Sequence, residues 1–543
     1  MITIGYSTRE HNPKFIEYLK KSSGNKKIEV IEKINNGEKS LSEVYNEIIQ
    51  ESKTDIVVLC HDDIYFDTTS WFYKLKSHFE TSDYGILGVA GTTHMPESGR
   101  WWDVRKNMIG IVNHESEGKK WTSKYSEDFN KSIRQTVIVD GLFIALSKTK
   151  IKHNFDEEFK GFHLYDVAFC FRNHLEDVKV GVITNIRITH KSIGQTNEQW
   201  EQNRELFVQK YGTNLPNKVP FDPNRRLKVL LSCISFRNFT GSELYVYELA
   251  KSLIKLNCSV TILSQIGGRL TDMAKKLGIK CVSFENAPGF KLGDGEWGMN
   301  TPEGFKLSTP NGLYRISEVD YDIVHIQHKP VAERILNMYP ELDKIYAIHS
   351  EVISLEDPII DPSIKKYIAI RPEIKSHLIN KFSIPENIIE VIYNPVDNEK
   401  FQPKDIPSEN YVLFVGTIDY LRKETILDLI EYTRELGKEL WLVGENNGNY
   451  LENILLESHV KHFPSTWNVE DFILKSDETA GIQLGRTTIE GWMCGKSGWI
   501  YNVDSSGNII DKKFHEVPND LEKFNSTNVV KKIKDLYLKT LNN

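Results

Sequence analysis

Ile56-Val57-Val58-Leu59-Cys60-His61-Asp62-Asp63-Ile64-Tyr65-Phe66 is an aliphatic run that stops at two adjacent carboxylates. Unbroken β-branched and aliphatic residues describe a strand covered on both faces, and open α/β sheets bind ligands outside the carboxyl ends of such strands. The two acids admit two readings. In one they are solvated caps of a turn. In the other they hold a cation, because carboxylates in contact repel unless a positive charge intervenes. Hard oxygen donors at that place suit Mg²⁺ or Mn²⁺ carrying a diphosphate.

Working outward, residues 1–7 read as a strand ending in the polar turn Ser7-Thr8-Arg9-Glu10-His11-Asn12-Pro13. Residues 15–21 read as a helix, 27–34 as a strand, and 40–52 as an amphipathic helix opened by a serine. This alternation predicts a doubly wound, largely parallel sheet with the Ile56 strand next in it. Downstream, 71–81 is helical and 85–91 is a strand. Trp101-Trp102 lies in the loop 92–103 and is read as pinning that loop to its own core rather than stacking on a ligand. A strand over 135–146 is interrupted by Asp140-Gly141, and a buried helix runs from Val167. Asp166 at its start is either an N-cap or a general base aimed into the cleft. Strands follow at 179–182 and 186–189, the second delivering His190, which is either a hydrogen-bonded side chain or closes a metal site with Asp63.

The chain has 543 residues, too many for one core, with a net charge of -7 and 26% charged residues. The acidic balance disfavours a polyanionic partner such as nucleic acid. Six cysteines stand singly, without metal-binding spacing, as expected of reduced core residues. The first strand begins at once, without a basic and apolar leader, and no apolar run is long enough to span a bilayer, so a cytoplasmic location is expected.

Residues 213–226, with Pro216, Pro220 and Pro223, read as a linker. A second αβ series then begins. It has a strand at 227–232, a glycine-containing turn at 238–243 with Gly241, a helix at 244–256, and strands at 259–264, 323–326, 345–348 and 367–370. Residues 288–312 read as an irregular loop. A third unit has a strand at 411–415, Gly416, a helix at 423–435 and a strand at 440–444. Gly485 to Thr488 would present backbone N–H groups to a diphosphate at a helix start. Residues 529–541 form an amphipathic helix fit to pack back across the lobes.

In order, Gly5-Tyr6-Ser7, Tyr45-Asn46, His61-Asp62-Asp63, Gly88-Val89-Ala90-Gly91, Asp140-Gly141, Tyr165-Asp166 and His190-x-Ser192-x-Gly194 resemble the GT-A nucleotide-sugar glycosyltransferases related to family 2, over about the first 210 residues. The resemblance implies that Asp63, with Asp62, bridges Mn²⁺ or Mg²⁺ to the donor diphosphate. It makes His190 a further metal ligand and Asp166 the base of an inverting displacement, with Ser7 and Arg9 on the donor side. Asn35-Asn36-Gly37 stands where that family often has an acid-rich turn. The second half resembles glycosyltransferase family 4, with the GT-B pair of Rossmann-like lobes. This carries Asn394-Pro395-Val396-Asp397 as the interlobe turn, Gly241 on the donor side, Arg422 and Lys423 as the phosphate-binding pair, Thr487 at the diphosphate, and Glu490 on the ribose. Two positions depart: Ile482 replaces a glutamate, and Thr417 stands where an arginine is common.

The expected architecture is therefore a GT-A domain over 1–212, a linker over 213–226, and GT-B lobes over 227–396 and 397–543. The expected activity is metal-dependent transfer of a hexosyl or N-acetylhexosaminyl group from a nucleotide sugar, UDP-linked by family habit, to a glycan, lipid-linked sugar or protein. The two halves either act in succession, or only the first is active, or the chain is a nucleotide-sugar-binding scaffold. An oligomer is compatible with all three.

Overall fold

The aliphatic run forms the strand Ile56–Cys60, with Ile2–Thr8 parallel on one side and Phe143–Ser147 antiparallel on the other. The computed structural model describes residues 1–24, 28–116, 118–125, 132–192, 196–222, 225–283, 299–301, 304–309, 312–315, 321–340, 342–447, 454 and 457–542. Gly194 lies outside them. The chain divides into two units, Met1–Pro220 and Phe221–Asn543.

The first unit holds a seven-stranded sheet in the order Ile133–Thr136, Lys179–Ile183, Tyr84–Gly88, Phe143–Ser147, Ile56–Cys60, Ile2–Thr8, Ile28–Ile34. It is mixed: the pairs among the first three chain-order strands, and that of Tyr84–Gly88 with Lys179–Ile183, are parallel, and Phe143–Ser147 is antiparallel to both neighbours. Successive residues of the central strand face opposite cores, Val58 with Ile4 and Phe143 on one side, Val57 and Leu59 with Ile144 on the other. This double burial is what an unbroken aliphatic run requires. The helix Leu41–Glu51 starts with a capping box: the Glu43 N–H donates to Ser40 Oγ at 3.3 Å, and the Ser40 N–H donates to Glu43 Oε2 at 2.8 Å. Such a cap stabilises by about 1 kcal/mol. Trp101 is buried in the core beneath its loop, while Trp102 is partly exposed against Trp200.

A second sheet positions the site. Its order is Ile138–Val139, Ala90–Thr92, Met108–Ser116, Ile188–His190, Ile64–Phe66, with Lys119–Lys124 paired onto Met108–Ser116. The stretch 213–226 is partly built into this unit rather than free: Asn217–Lys218 pairs antiparallel with His94–Met95, satisfying backbone groups of a short edge strand.

The second unit has two lobes. Seven strands, all parallel, run Lys280–Ser283, Cys258–Gly267, Leu227–Phe236, Ile323–Gln327, Lys344–Ile348, Ile364–Ala369, Ile389–Val391. Six form the other lobe, in the order Val460–Phe463, Glu439–Val443, Tyr411–Val415, Glu478–Ile482, Gly498–Val503, Ile509–His515, the last antiparallel. The final helix, Ser526–Asn542, returns to the first lobe: Val529, Val530, Ile533, Leu536 and Tyr537 form a helical stripe inside its core. The reading of 288–312 as irregular is corrected where the residues are described. Met299–Thr301, Gly304–Thr309 and Gly312–Arg315 form an antiparallel meander, with strands too short for a period of two to stand out. The rest of that stretch lies outside the described residues. No described helix is long and apolar enough to cross a membrane.

Candidate active sites

In the first unit the chain turns at the end of Ile56–Cys60, and Ile64–Phe66 pairs with Ile188–His190, setting His190 opposite Ile64. The Lys191 N–H donates to the Asp63 carbonyl at 3.1 Å, continuing the ladder. Register thus delivers His190 Nε2 to 3.3 Å from Asp63 Oδ1 and 3.3 Å from His61 Nδ1. His61, Asp63 and His190 each bring one ligand atom to within 4.8 Å of the others. Asp62 is not in that set. Burial works to raise the Asp63 carboxyl, but the hydrogen bond and charge of His190 outweigh it and hold it below the usual carboxylate range. Burial, then the charge of His190, lowers His61, which leaves a neutral imidazole with a lone pair to give. Two imidazole nitrogens and a carboxylate oxygen fit a divalent transition ion such as Mn²⁺, and fit the oxygen-seeking Mg²⁺ less well. His61 escaped the sequence reading because its only signal was its place two residues before Asp63.

Asp166 is the second residue of the helix Tyr165–Leu175, so the N-cap position falls to Leu164, held at φ 60°. Such left-handed backbone at a branched residue is strained and aims the helix. Asp166 Oδ2 accepts the Gly141 N–H at 2.7 Å, and the Tyr165 hydroxyl donates to the Gly141 carbonyl at 3.2 Å and lies 3.4 Å from His61 Nε2. One tyrosine therefore links the helix of Asp166 to the cluster of His61, Asp63 and His190. A Cβ on Gly141 would come to 2.3 Å from that hydroxyl and 3.0 Å from Asp166 Oδ2. Burial, and then the charge of Asp140, pushes Asp166 up to about 7. Asp140 was legible as a strand interruption and as part of the Asp140-Gly141 motif, without a role of its own.

Ser7 is half-buried at the end of Ile2–Thr8 and Arg9 is exposed just beyond. Beside them Glu32, which sequence reading passed over, accepts the Tyr6 hydroxyl at 2.7 Å and the Asn12 N–H at 2.9 Å, and pairs with His11. Burial tends to raise this carboxyl, and the hydrogen bonds from His11 and Tyr6 bring it below the usual range.

The second unit contains a cleft of about 320 Å³ between its lobes, lined among others by Gly241, Arg371, Arg422, Arg486, Thr487 and Glu490. Lys423 is not in the lining and pairs with Glu424 at 3.6 Å on the helix surface. Arg422 Nη1 donates to Asp419 Oδ2 at 2.6 Å, and Asp419 also accepts the Leu421 N–H at 3.1 Å. Glu490 is buried and accepts Arg486 Nε at 2.6 Å; burial raises its carboxyl and the guanidinium opposes that. The Thr487 hydroxyl donates to the Val415 carbonyl at 3.3 Å. Arg371 of the first lobe hydrogen-bonds Gln483 of the second and pairs with Glu351. Guanidinium groups beside a helix start at Gly485 and Arg486 suit a phosphate-bearing ligand. Arg371 and Arg486 carried no local motif, because they meet the cleft only through the packing of the lobes.

Residues 11–211 match the model of a family described as "Glycosyltransferase like family", and residues 239–400 match that of Glycosyltransferase Family 4. No curated protein matches the chain. Crystal structures that resemble it include a glycosyltransferase from Rickettsia africae ESF-5 (18% identity, 58% of this chain and 93% of that chain, TM-score 0.37). Another is Anabaena HepE in complex with UDP and glucose (14% identity, 58% and 92%, TM-score 0.38). A third is the pneumococcal O-GlcNAc transferase GtfA in complex with UDP and GlcNAc (10% identity, 59% and 100%, TM-score 0.41).

Proposed function

From a chain in which residues 11–211 and 239–400 match glycosyltransferase models, we propose that the first unit transfers a sugar from a nucleotide-sugar donor to a hydroxyl of a glycan, lipid-linked sugar or protein. Uridine diphosphate is the carrier expected of the family. The observation that carries this reading is the convergence of His61, Asp63 and His190 at the carboxyl end of the central strand. A cation held by these three, when bound, supplies neutralisation of the charge that builds on the departing diphosphate. Asp62, Ser7 and Arg9 belong to the donor side in this reading. Asp166 removes the proton from the acceptor hydroxyl, and a carboxyl near 7 is matched to that task. The Gly141 N–H donates to Oδ2 of that carboxyl and so holds the side chain in place.

In the second unit the same reading gives Gly241, Arg422, Thr487 and Glu490 a nucleotide to bind, with Lys423 contributing charge from the helix surface. A second reading, in which this unit binds without transferring, is favoured by Ile482 and by the Arg371 to Gln483 bridge across its cleft.

The test is release of UDP from UDP-glucose, UDP-galactose and their N-acetylhexosamine counterparts by the full chain, with and without Mn²⁺. The expected outcome is Mn²⁺-dependent release by at least one donor, reduced a hundredfold or more by Asp63→Ala. Release that persists in Asp63→Ala, or none from any donor, overturns the assignment to the first unit.

A further inference from the structure

Trp101 and Trp102 differ in burial. Trp101 lies in the core beneath its loop, whereas Trp102 keeps 36% exposure and lines a cavity of about 530 Å³, a volume in the range of ligand pockets. Trp200 and the polar side chains of Arg100, Asp103, Glu198 and Glu201 line it too. Trp102 rests on Trp200 with ring centroids 5.2 Å apart. The Arg100 guanidinium lies 5.7 Å from the Trp200 centroid and is tied to Glu201 at 3.2 Å. An exposed indole is thus held at the wall of a hollow with hydrogen-bonding groups around it. Among the described residues, the charged lining is three carboxylates and one guanidinium, a balance that repels anions. Aromatic area beside groups that accept and donate hydrogen bonds is the chemistry that recognises an uncharged carbohydrate.

Helix packing sets this cavity on the edge of the unit where Asp166 stands. The helix Glu198–Tyr211 runs parallel to Tyr165–Leu175. Asn203 donates to the carbonyls of Lys160 and His163, each at 2.8 Å, just before Tyr165–Leu175 begins, and Phe207 and Tyr211, farther along, pack on Phe171, farther along its neighbour. The start of Glu198–Tyr211 therefore projects about 8 Å beyond the loop that leads into Asp166. On that same edge the Tyr165 hydroxyl meets His61. Thr196, at the cavity, follows His190 by six residues, so the two are at most about 22 Å apart. One sugar ring does not bridge such a distance, and a short glycan chain does. We infer that the cavity is an outer subsite for a glycan acceptor: one pyranose of an uncharged oligosaccharide stacks on Trp102, and Asp103 and Glu198 accept hydrogen bonds from its hydroxyls. A sugar farther along the same chain carries the reacting hydroxyl to Asp166. The inference rests on the glycosyl-transfer reading of the first unit and adds the class and length of the acceptor.

The test titrates the full chain calorimetrically, without donor, with glucose, mannose, xylose, galactose and N-acetylglucosamine and with their β-1,4-linked tetrasaccharides. UDP release is then followed with Mn²⁺ and the donors above. At least one tetrasaccharide is expected to bind at least tenfold more tightly than its monosaccharide and to accelerate UDP release beyond the rate with water as acceptor. Trp102→Ala then weakens that binding and raises KM at least tenfold while leaving release to water within twofold, and Trp102→Phe keeps both constants within about threefold. Glu198→Ala, at an exposed position, weakens the binding at least threefold. Four results overturn the inference: no tetrasaccharide bound, binding unchanged in Trp102→Ala and Glu198→Ala, a monosaccharide bound as tightly as its tetrasaccharide, or an active wild type that the bound tetrasaccharide does not accelerate. Binding that depends on Trp102 in a protein releasing no UDP from any donor leaves the cavity a glycan site and counts against the glycosyl-transfer reading instead.

Discussion

Asp166 owes its titration to its surroundings. Its carboxyl is raised to about 7 in the folded protein, first by burial and then by Asp140, and an unfolded aspartate titrates near 4. In the proposed role of base it acts only when ionised, so transfer is expected to fall about tenfold per pH unit below about 7, as read from kcat/KM against pH. The stability consequence has the opposite direction. Below about pH 4 both states are protonated, and between about 4 and 7 the unfolded state gives up its proton first. Ionising the buried carboxyl therefore costs folded stability increasingly as pH rises, in full above about 7. Asp166→Asn should raise the thermal midpoint at pH 8, leave it unchanged at pH 4, and lower transfer by a hundredfold or more. A midpoint at pH 8 below that of wild type would contradict this account. His61→Ala should weaken Mn²⁺ dependence as His190→Ala does, seen as a tenfold or larger rise in the Mn²⁺ concentration for half-maximal UDP release.

At the scale of elements, the site is a consequence of register and of two tight positions. The pairing of Ile64 with His190 joins Asp63 to a residue 127 positions away in number, and a slip of one residue would turn His190 to the other face. Gly141 is where backbone, Tyr165 and Asp166 meet without room for a methyl group. Gly141→Ala should displace that hydroxyl or the carboxylate and reduce transfer tenfold or more, with a smaller effect on Mn²⁺ affinity measured by titration. The elements themselves were largely legible. The helix Trp71–Thr81 and the strand Ile56–Cys60 have the bounds that their apolar spacing announces, and Ser40 with Glu43 marks the start of Leu41–Glu51. What was not legible is pairing: nothing local in Asn217–Lys218 says that it joins His94–Met95, or in Met299–Thr301, Gly304–Thr309 and Gly312–Arg315 that they form a meander.

At the scale of the whole molecule, two units of separate core composition carry two separate candidate sites. The final helix is the clearest long-range tie within the second unit. Its Tyr537 hydroxyl lies 2.7 Å from His325 Nδ1 inside the first-lobe core, where burial lowers His325 to about 3 and keeps it neutral. Tyr537→Phe leaves that nitrogen without its partner and should cost about 1 to 3 kcal/mol in the denaturant transition of the second unit. Mn²⁺-dependent UDP release by the first unit should be unaffected. Loss of both in parallel would show that the two units do not unfold independently.

From composition and periodicity alone the chain announces αβ layers, three sheet-building regions, and acids at a strand end, because burial on both faces of a parallel strand leaves an unbroken apolar run that local chemistry cannot hide. Tertiary structure alone decided which side chains meet. His61, not Asp62, meets Asp63 and His190, burial and then Asp140 raise the proton affinity of Asp166, and Arg371 and Arg486 enter the cleft of the second unit. Strand register and lobe packing bring together residues far apart in the chain, and no pattern confined to a few neighbouring residues encodes such a meeting.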